Sequence, residues 1–196
     1  MMKIKSEFFQ RSAVEVARDL LGRYLVRKFP EGRAIVKIVE TEAYLGIEDP
    51  ASHSYRGRIT SRNKVMYREG GVFYVYKIYG MYYCLNVVTN LERVPEAVFI
   101  RSGEPVSGIE LMKKRRGVKE VRKLCNGPGR LTQALGIDLN FYGCKVTGNE
   151  LYFLSGEKVK REEIVSTPRV NIDYAGEAKN FPLRFYIRDN IFVSRK

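Results

Sequence analysis

Apolar residues recur at Ala13, Val16, Ala17, Leu20 and Leu21, behind Ser12 and Glu15, and the run stops at Gly22. That spacing after a Ser-x-x-Glu box predicts a short amphipathic helix closed by glycine. The period then changes to two. Tyr24 to Phe29 and Arg33 to Thr41, separated by Pro30-Glu31-Gly32, read as a hairpin whose second strand runs into the Glu40-Thr41-Glu42 segment, which places the two carboxylates at a strand end. Residues 50 to 71 lack an apolar period because Arg56, Arg58, Arg62, Lys64 and Arg68 interrupt it, which predicts a long basic loop with at most a helical turn. Val72 to Val88 is dense in Tyr, Phe, Ile and Val, and Tyr79-Gly80 is its turn, so an aromatic hairpin is expected with Tyr79 at the tip.

Ala97 to Arg101 reads as a strand, and Ile109 to Arg116 as a helix whose basic end continues into Lys119, Arg122 and Lys123. Gly127-Pro128-Gly129 leads into a helix from about Arg130 to Leu135, stopped by Gly136. Its amino end offers free N–H groups to a phosphate, but the motif lacks the Lys-Ser/Thr ending of a nucleotide P-loop, which excludes an NTPase. Leu151 to Leu154, Glu163 to Ser166 and Leu183 to Val193 supply short strands and turns. With no internal repeat or low-complexity linker, residues 1–196 are expected to form a single domain.

Charge changes the picture. Lys and Arg outnumber Asp and Glu by 35 to 22, giving a net charge of +13. Such a field draws in phosphates by steering and counterion release, so nucleic acid leads the expected partners. No long apolar run, signal peptide or lipidation motif points to a membrane, and a soluble, intracellular protein is expected. Cys84, Cys125 and Cys144 are odd in number and widely spaced, so reduced thiols are expected rather than a disulfide framework or metal knuckle. His53 is the only histidine, which excludes sites built from several imidazoles.

Within this basic chain, Glu40 and Glu42 on one strand face mark candidate chemistry. Adjacent like charges repel, and burial would raise the pKa of at least one of them. Tyr74, Tyr76, Tyr79, Tyr82 and Tyr83 exceed what a core of this size needs. A ring at the hairpin tip is placed to wedge between base pairs, and others, with Tyr44, to stack on an extruded base. His53, at the mouth of the basic loop, is a candidate for a base face or a phosphate.

In order, Val39-Glu40-Thr41-Glu42-Ala43-Tyr44-Leu45-Gly46, Ala51-Ser52-His53-Ser54 and Tyr74-Val75-Tyr76-Lys77-Ile78-Tyr79-Gly80-Met81-Tyr82 leading to Asn86 resemble the alkyladenine (3-methyladenine) DNA glycosylase family. The resemblance continues through Ile100-Arg101, Cys125-Asn126-Gly127-Pro128, Gln133-Ala134-Leu135 and Pro182-Leu183-Arg184-Phe185-Tyr186, across nearly the whole chain. It implies a mixed α/β (α+β) domain with a curved antiparallel sheet, a protruding aromatic hairpin and surrounding helices. It also implies hydrolysis of the N-glycosidic bond of a damaged purine in double-stranded DNA, leaving an abasic site. In that family Glu42 would activate the attacking water and Arg101 would help to hold it. Tyr44, His53 and Tyr76 would line the base pocket, Asn86 would bar guanine, and Tyr79 would fill the gap in the duplex. Arg58, Arg62, Met81, Tyr82 and Arg130 complete the set expected to face the DNA backbone.

No metal or other cofactor is expected, and a monomer is. The protein would be cytoplasmic in a prokaryote and nuclear in a eukaryote. Two alternatives remain open on the sequence. One is a non-enzymatic basic protein binding the DNA minor groove or structured RNA. The other is a glycosidase using Glu40 and Glu42 as acid and base, although side chains two apart on a strand lie side by side, about 7 Å apart, not on opposite sides of a scissile bond.

Overall fold

Ser12 Oγ accepts the Glu15 amide at 3.3 Å and opens α1 (Ala13–Leu20), whose Ala13, Val16, Ala17 and Leu20 are buried. The computed structural model describes residues 1–195. After α1 come β1 (Tyr24–Phe29), β2 (Gly32–Tyr44), β3 (Phe73–Ile78), β4 (Tyr82–Thr89) and β5 (Glu96–Ser107). Two helices follow, α2 (Ile109–Arg116) and α3 (Pro128–Ala134), then β6 (Leu151–Leu154), β7 (Ile164–Thr167) and β8 (Arg184–Ile187). This is a mixed α/β fold with a curled antiparallel sheet of eight strands.

The sheet curls because β2 changes partners along its length. β1 covers one edge of β2 from Gly32 to Lys37, and β8 takes that edge over at Glu40, Thr41 and Glu42. β5 runs along the other edge from Ile35 to Tyr44, with register shifts around Glu40 that bend the strand. Glu40 and Glu42 therefore lie inside a strand paired on both sides rather than at a free strand end. Thr41, between them, points the other way and donates from Oγ1 to Ala17 O of α1 at 2.8 Å. The α1 face of the sheet holds the main core, with Leu20, Ile38, Phe73, Leu85, Ile100, Phe153 and Phe185 fully buried, each contributing about 1.5–3 kcal/mol by burial.

Several element bounds differ from the sequence expectation. β2 continues to Tyr44 and β5 to Ser107, beyond Thr41 and Arg101, because their buried polar residues find partners on other strands and Gly103 makes room for Val36. β8 ends at Ile187, and the segment to Val193 is turns. α3 starts at Pro128, whose missing N–H costs nothing in the first helical turn. The basic loop contains 3₁₀ turns at Tyr55–Gly57 and Lys64–Tyr67.

Candidate active site

Strand register carries one face across the sheet. Tyr74 opposes Asn86, Tyr76 opposes Cys84, Asn86 opposes Phe99, and Phe99 opposes Glu42. Opposed residues of antiparallel strands share a face, so these side chains gather on the side of the sheet away from α1. Here a cleft of about 1100 Å³ opens, lined among others by Tyr44, His53, Tyr76, Phe99 and Arg101. A purine with its sugar fits such a volume. Sharing several of its lining residues is a recess of about 40 Å³ bounded by Tyr44, His53, Tyr74, Tyr76, Asn86 and Tyr174.

Glu42 is fully buried beside the cleft lining. Val170 N–H donates to its Oε1 at 2.8 Å, the Tyr44 hydroxyl donates to its Oε2 at 2.9 Å, and Arg101 Nη1 lies 3.3 Å from Oε1. Glu40 is also fully buried, but its acceptor capacity is used up. Arg101 Nε at 3.0 Å, Arg184 Nε at 2.7 Å and Ser194 Oγ at 2.9 Å meet Oε1, while Ser102 Oγ at 2.9 Å and Ser194 N–H at 2.7 Å meet Oε2. Burial would raise the pKa of Glu40, but Arg101, Arg184 and the Ser194 hydrogen bonds outweigh it and hold the carboxyl below its ordinary value. An anion so held is no proton donor, which removes the paired acid–base glycosidase. Burial likewise opposes the charge of Arg101, and Glu42 and Glu40 together raise its pKa instead.

The aromatic residues divide by position. His53 Nδ1 lies 2.6 Å from the Tyr74 hydroxyl, and its ring meets Tyr76 edge-on at 4.8 Å. Burial first, and the charge of Arg62 second, lower the His53 pKa to about 4, so the ring is neutral at pH 7. Burial pushes the Tyr44 hydroxyl well above its usual range, with Glu42 adding to the shift. Asn86 is buried and donates from Nδ2 to Tyr74 O at 3.1 Å.

Tyr79 is 76% exposed at the hairpin tip. The turn is closed by Met81 N–H to Ile78 O at 3.3 Å, with φ of +50° at Tyr79 and +69° at Gly80. A bulky residue in that region costs about 1–2 kcal/mol, so the tip holds a strained, solvent-facing ring that packing does not explain.

Of the residues expected to face the DNA backbone, Arg62, Tyr82 and Arg130 line the cleft. Arg62 also donates to Lys77 O at 3.1 Å and lies 5.3 Å from the Tyr76 ring centroid, and Arg130 donates to Asn126 Oδ1 at 2.9 Å. Arg58 and Met81 are exposed outside that lining, Met81 beside a separate hollow behind the hairpin.

The far wall of the cleft carries no motif in the sequence. Arg169 is buried, donates from Nη2 to Asp49 Oδ1 at 2.8 Å and from Nη1 to Ala43 O at 3.0 Å, and lies 4.7 Å from the Tyr44 ring centroid. Val170 follows it, and Asn171 turns the chain with a φ of +58°. Tyr174, Ser194 and Arg195 complete that wall. Nothing local in the sequence marks Arg169, Val170 and Tyr174, since their partners Asp49, Glu42 and Ala51 lie more than a hundred positions away.

This is a carboxylate buried beside an aromatic, cationic cleft on a curled antiparallel sheet. Residues 7–191 match the family model described as Methylpurine-DNA glycosylase (MPG). The chain belongs to the methylpurine-DNA glycosylase family and is by that membership a DNA N-glycosylase. It is 49% identical over 196 residues to a protein of Natranaerobius thermophilus named "Putative 3-methyladenine DNA glycosylase", covering 98% of this chain and 99% of the relative. Proteins of the same name are similar in Carboxydothermus hydrogenoformans, at 49% identity, and Methanocella arvoryzae, at 45%. All of this chain is covered in both, with 100% and 98% of the respective relatives.

Proposed function

We propose that the chain is a monofunctional glycosylase that takes alkylated or deaminated purines out of duplex DNA and hydrolyses the N-glycosidic bond. Its substrates would be of the 3-methyladenine, 7-methylguanine and hypoxanthine class. The observation that carries the reading is the Glu42 carboxylate, held by Val170 N–H, the Tyr44 hydroxyl and Arg101 next to a cleft sized for a nucleoside. Glu42 would take a proton from water as the glycosidic bond breaks, with Arg101 helping to hold that water.

Tyr44, His53 and Tyr76 would enclose the extruded base, each stack being worth about 1–3 kcal/mol. A cationic alkylated purine gains further from the ring faces. It is also a good leaving group, so an activated water and a pocket suffice. Hypoxanthine is neutral and needs a proton as it leaves; His53, with its lowered pKa, is not charged at pH 7 to supply one. Asn86, at the recess, would crowd the exocyclic amine of guanine. Tyr79 would occupy the space the base vacates, and Arg62, Tyr82, Arg130, Arg58 and Met81 would lie along the backbone. The enzyme would act as a monomer wherever the cell keeps its DNA.

The test is incubation with methylated duplex DNA, followed by analysis of released bases and abasic sites. Release of methylated purines with intact strands at the abasic site is expected. Tight binding with no release would overturn the reading.

A further inference from the structure

Glu40 and Glu42 compete for one guanidinium. Arg101 gives Nε to Glu40 at 3.0 Å and Nη1 to Glu42 at 3.3 Å, so its orientation decides how much positive charge reaches Glu42. An ionised carboxylate has about four acceptor positions. On Glu40 two of the occupants come from a single distant residue, Ser194, through its amide at 2.7 Å and its hydroxyl at 2.9 Å. The same hydroxyl lies 3.4 Å from Arg101 Nη2.

Ser194 sits on a carboxy-terminal strap beyond the residues matched by the family model. The strap is tied down on both sides of it. Arg122 Nε donates to Ile191 O at 3.2 Å, Asn190 Nδ2 to Glu104 Oε2 at 3.3 Å, and Arg184 Nη2 to Arg195 O. Val193 is buried, while Ser194 and Arg195 reach the cleft.

We infer that Ser194 is a positioning residue for the reaction: its hydroxyl, donating to Glu40 Oε1 and within reach of Arg101 Nη2, fixes the plane of the guanidinium so that Nη1 stays on Glu42. Without the hydroxyl, Oε1 loses one of its three donors and Arg101 Nη2 loses its neighbour, so Nη2 can swing to Glu40 beside Nε in the stronger two-pronged pairing, turning the plane that aims Nη1 at Glu42. The role rests on the proposed reading in which Glu42 activates water. It makes turnover depend on a residue more than 150 positions from the carboxylate it serves.

The test compares full-length wild type, Ser194→Ala and Ser194→Thr on a duplex with one hypoxanthine or 7-methylguanine. Single-turnover release with enzyme in excess, Kd for the lesion duplex and Tm are measured on each. Ser194→Ala is expected to slow release by about tenfold or more, the scale that small misplacements of a reacting group produce, with Kd within about twofold of wild type. Ser194→Thr, which restores the hydroxyl, is expected to recover most of the rate. If Ser194→Ala does not fold, Ser194→Cys, close in size but a poor donor, makes the same comparison. Unchanged release in the hydroxyl-free variants, or a loss that only follows the unfolded fraction, overturns the inference. Wild type that releases no base from either duplex instead overturns the reading of Glu42.

Discussion

The Tyr44 hydroxyl donates to Glu42 Oε2 at 2.9 Å, joining the ring that walls the cleft to the carboxylate beside it. The two residues stand two positions apart on one face of β2. Tyr44→Phe keeps the ring and removes the bond. Single-turnover base release is expected to fall about tenfold, the scale of one hydrogen bond to a charged group, while lesion-DNA affinity stays within about twofold. Paired single-turnover and equilibrium binding measurements check this.

Tyr79 holds a φ of +50° with its side chain in solvent. Asn tolerates that conformation better, so Tyr79→Asn is expected to stabilise the fold by about 1 kcal/mol while reducing the extrahelical population of the damaged base. Denaturant melts and a fluorescent base analogue in the duplex read the two effects separately. A variant both less stable and fully competent in flipping would count against strain retained for function.

His53 titrates near 4 in the fold against an ordinary value of 6.5. A group whose folded pKa is lowered in this way binds more protons when unfolded, so stability is retained above about 6.5 and lost as pH falls toward 4. Between pH 7.5 and 5 the cost attributable to His53 is expected to reach about 2 kcal/mol at most. His53→Gln should lose less stability over that interval, which urea melts at the two pH values measure.

Arg169 and Asp49 form a buried ion pair behind Tyr44. Arg169→Ala leaves the Asp49 carboxylate buried without its partner and is expected to cost about 3–5 kcal/mol. Because Arg169 also holds Ala43 O and precedes Val170, folded molecules of the variant at low temperature should release bases more slowly. Thermal melts and low-temperature single-turnover assays check both statements.

The sequence was most informative where neighbours in the chain are neighbours in space. α1 follows from the Ser12 cap and one apolar stripe, and the aromatic hairpin from its alternation and its Tyr79-Gly80 turn. Glu42, Tyr44, His53 and Tyr76 were legible as a set through family resemblance, since short motifs carry them. The full length of β2 was not, because Glu-Thr-Glu looks like the end of an apolar run. It stays strand because β5 and β8 pair it on both edges while Arg101 and Arg184, from those strands, neutralise Glu40. The Arg169–Tyr174 wall and the Ser194 strap reach the site by tertiary contacts alone, for which no local period exists.

Glu42→Gln tests the central claim most directly, since it keeps size and shape and removes the base. On duplex DNA carrying 7-methylguanine, single-turnover release is expected to disappear while binding to the lesion duplex persists. Release at the wild-type rate from the Gln variant would contradict the assignment of Glu42 as the group that activates water.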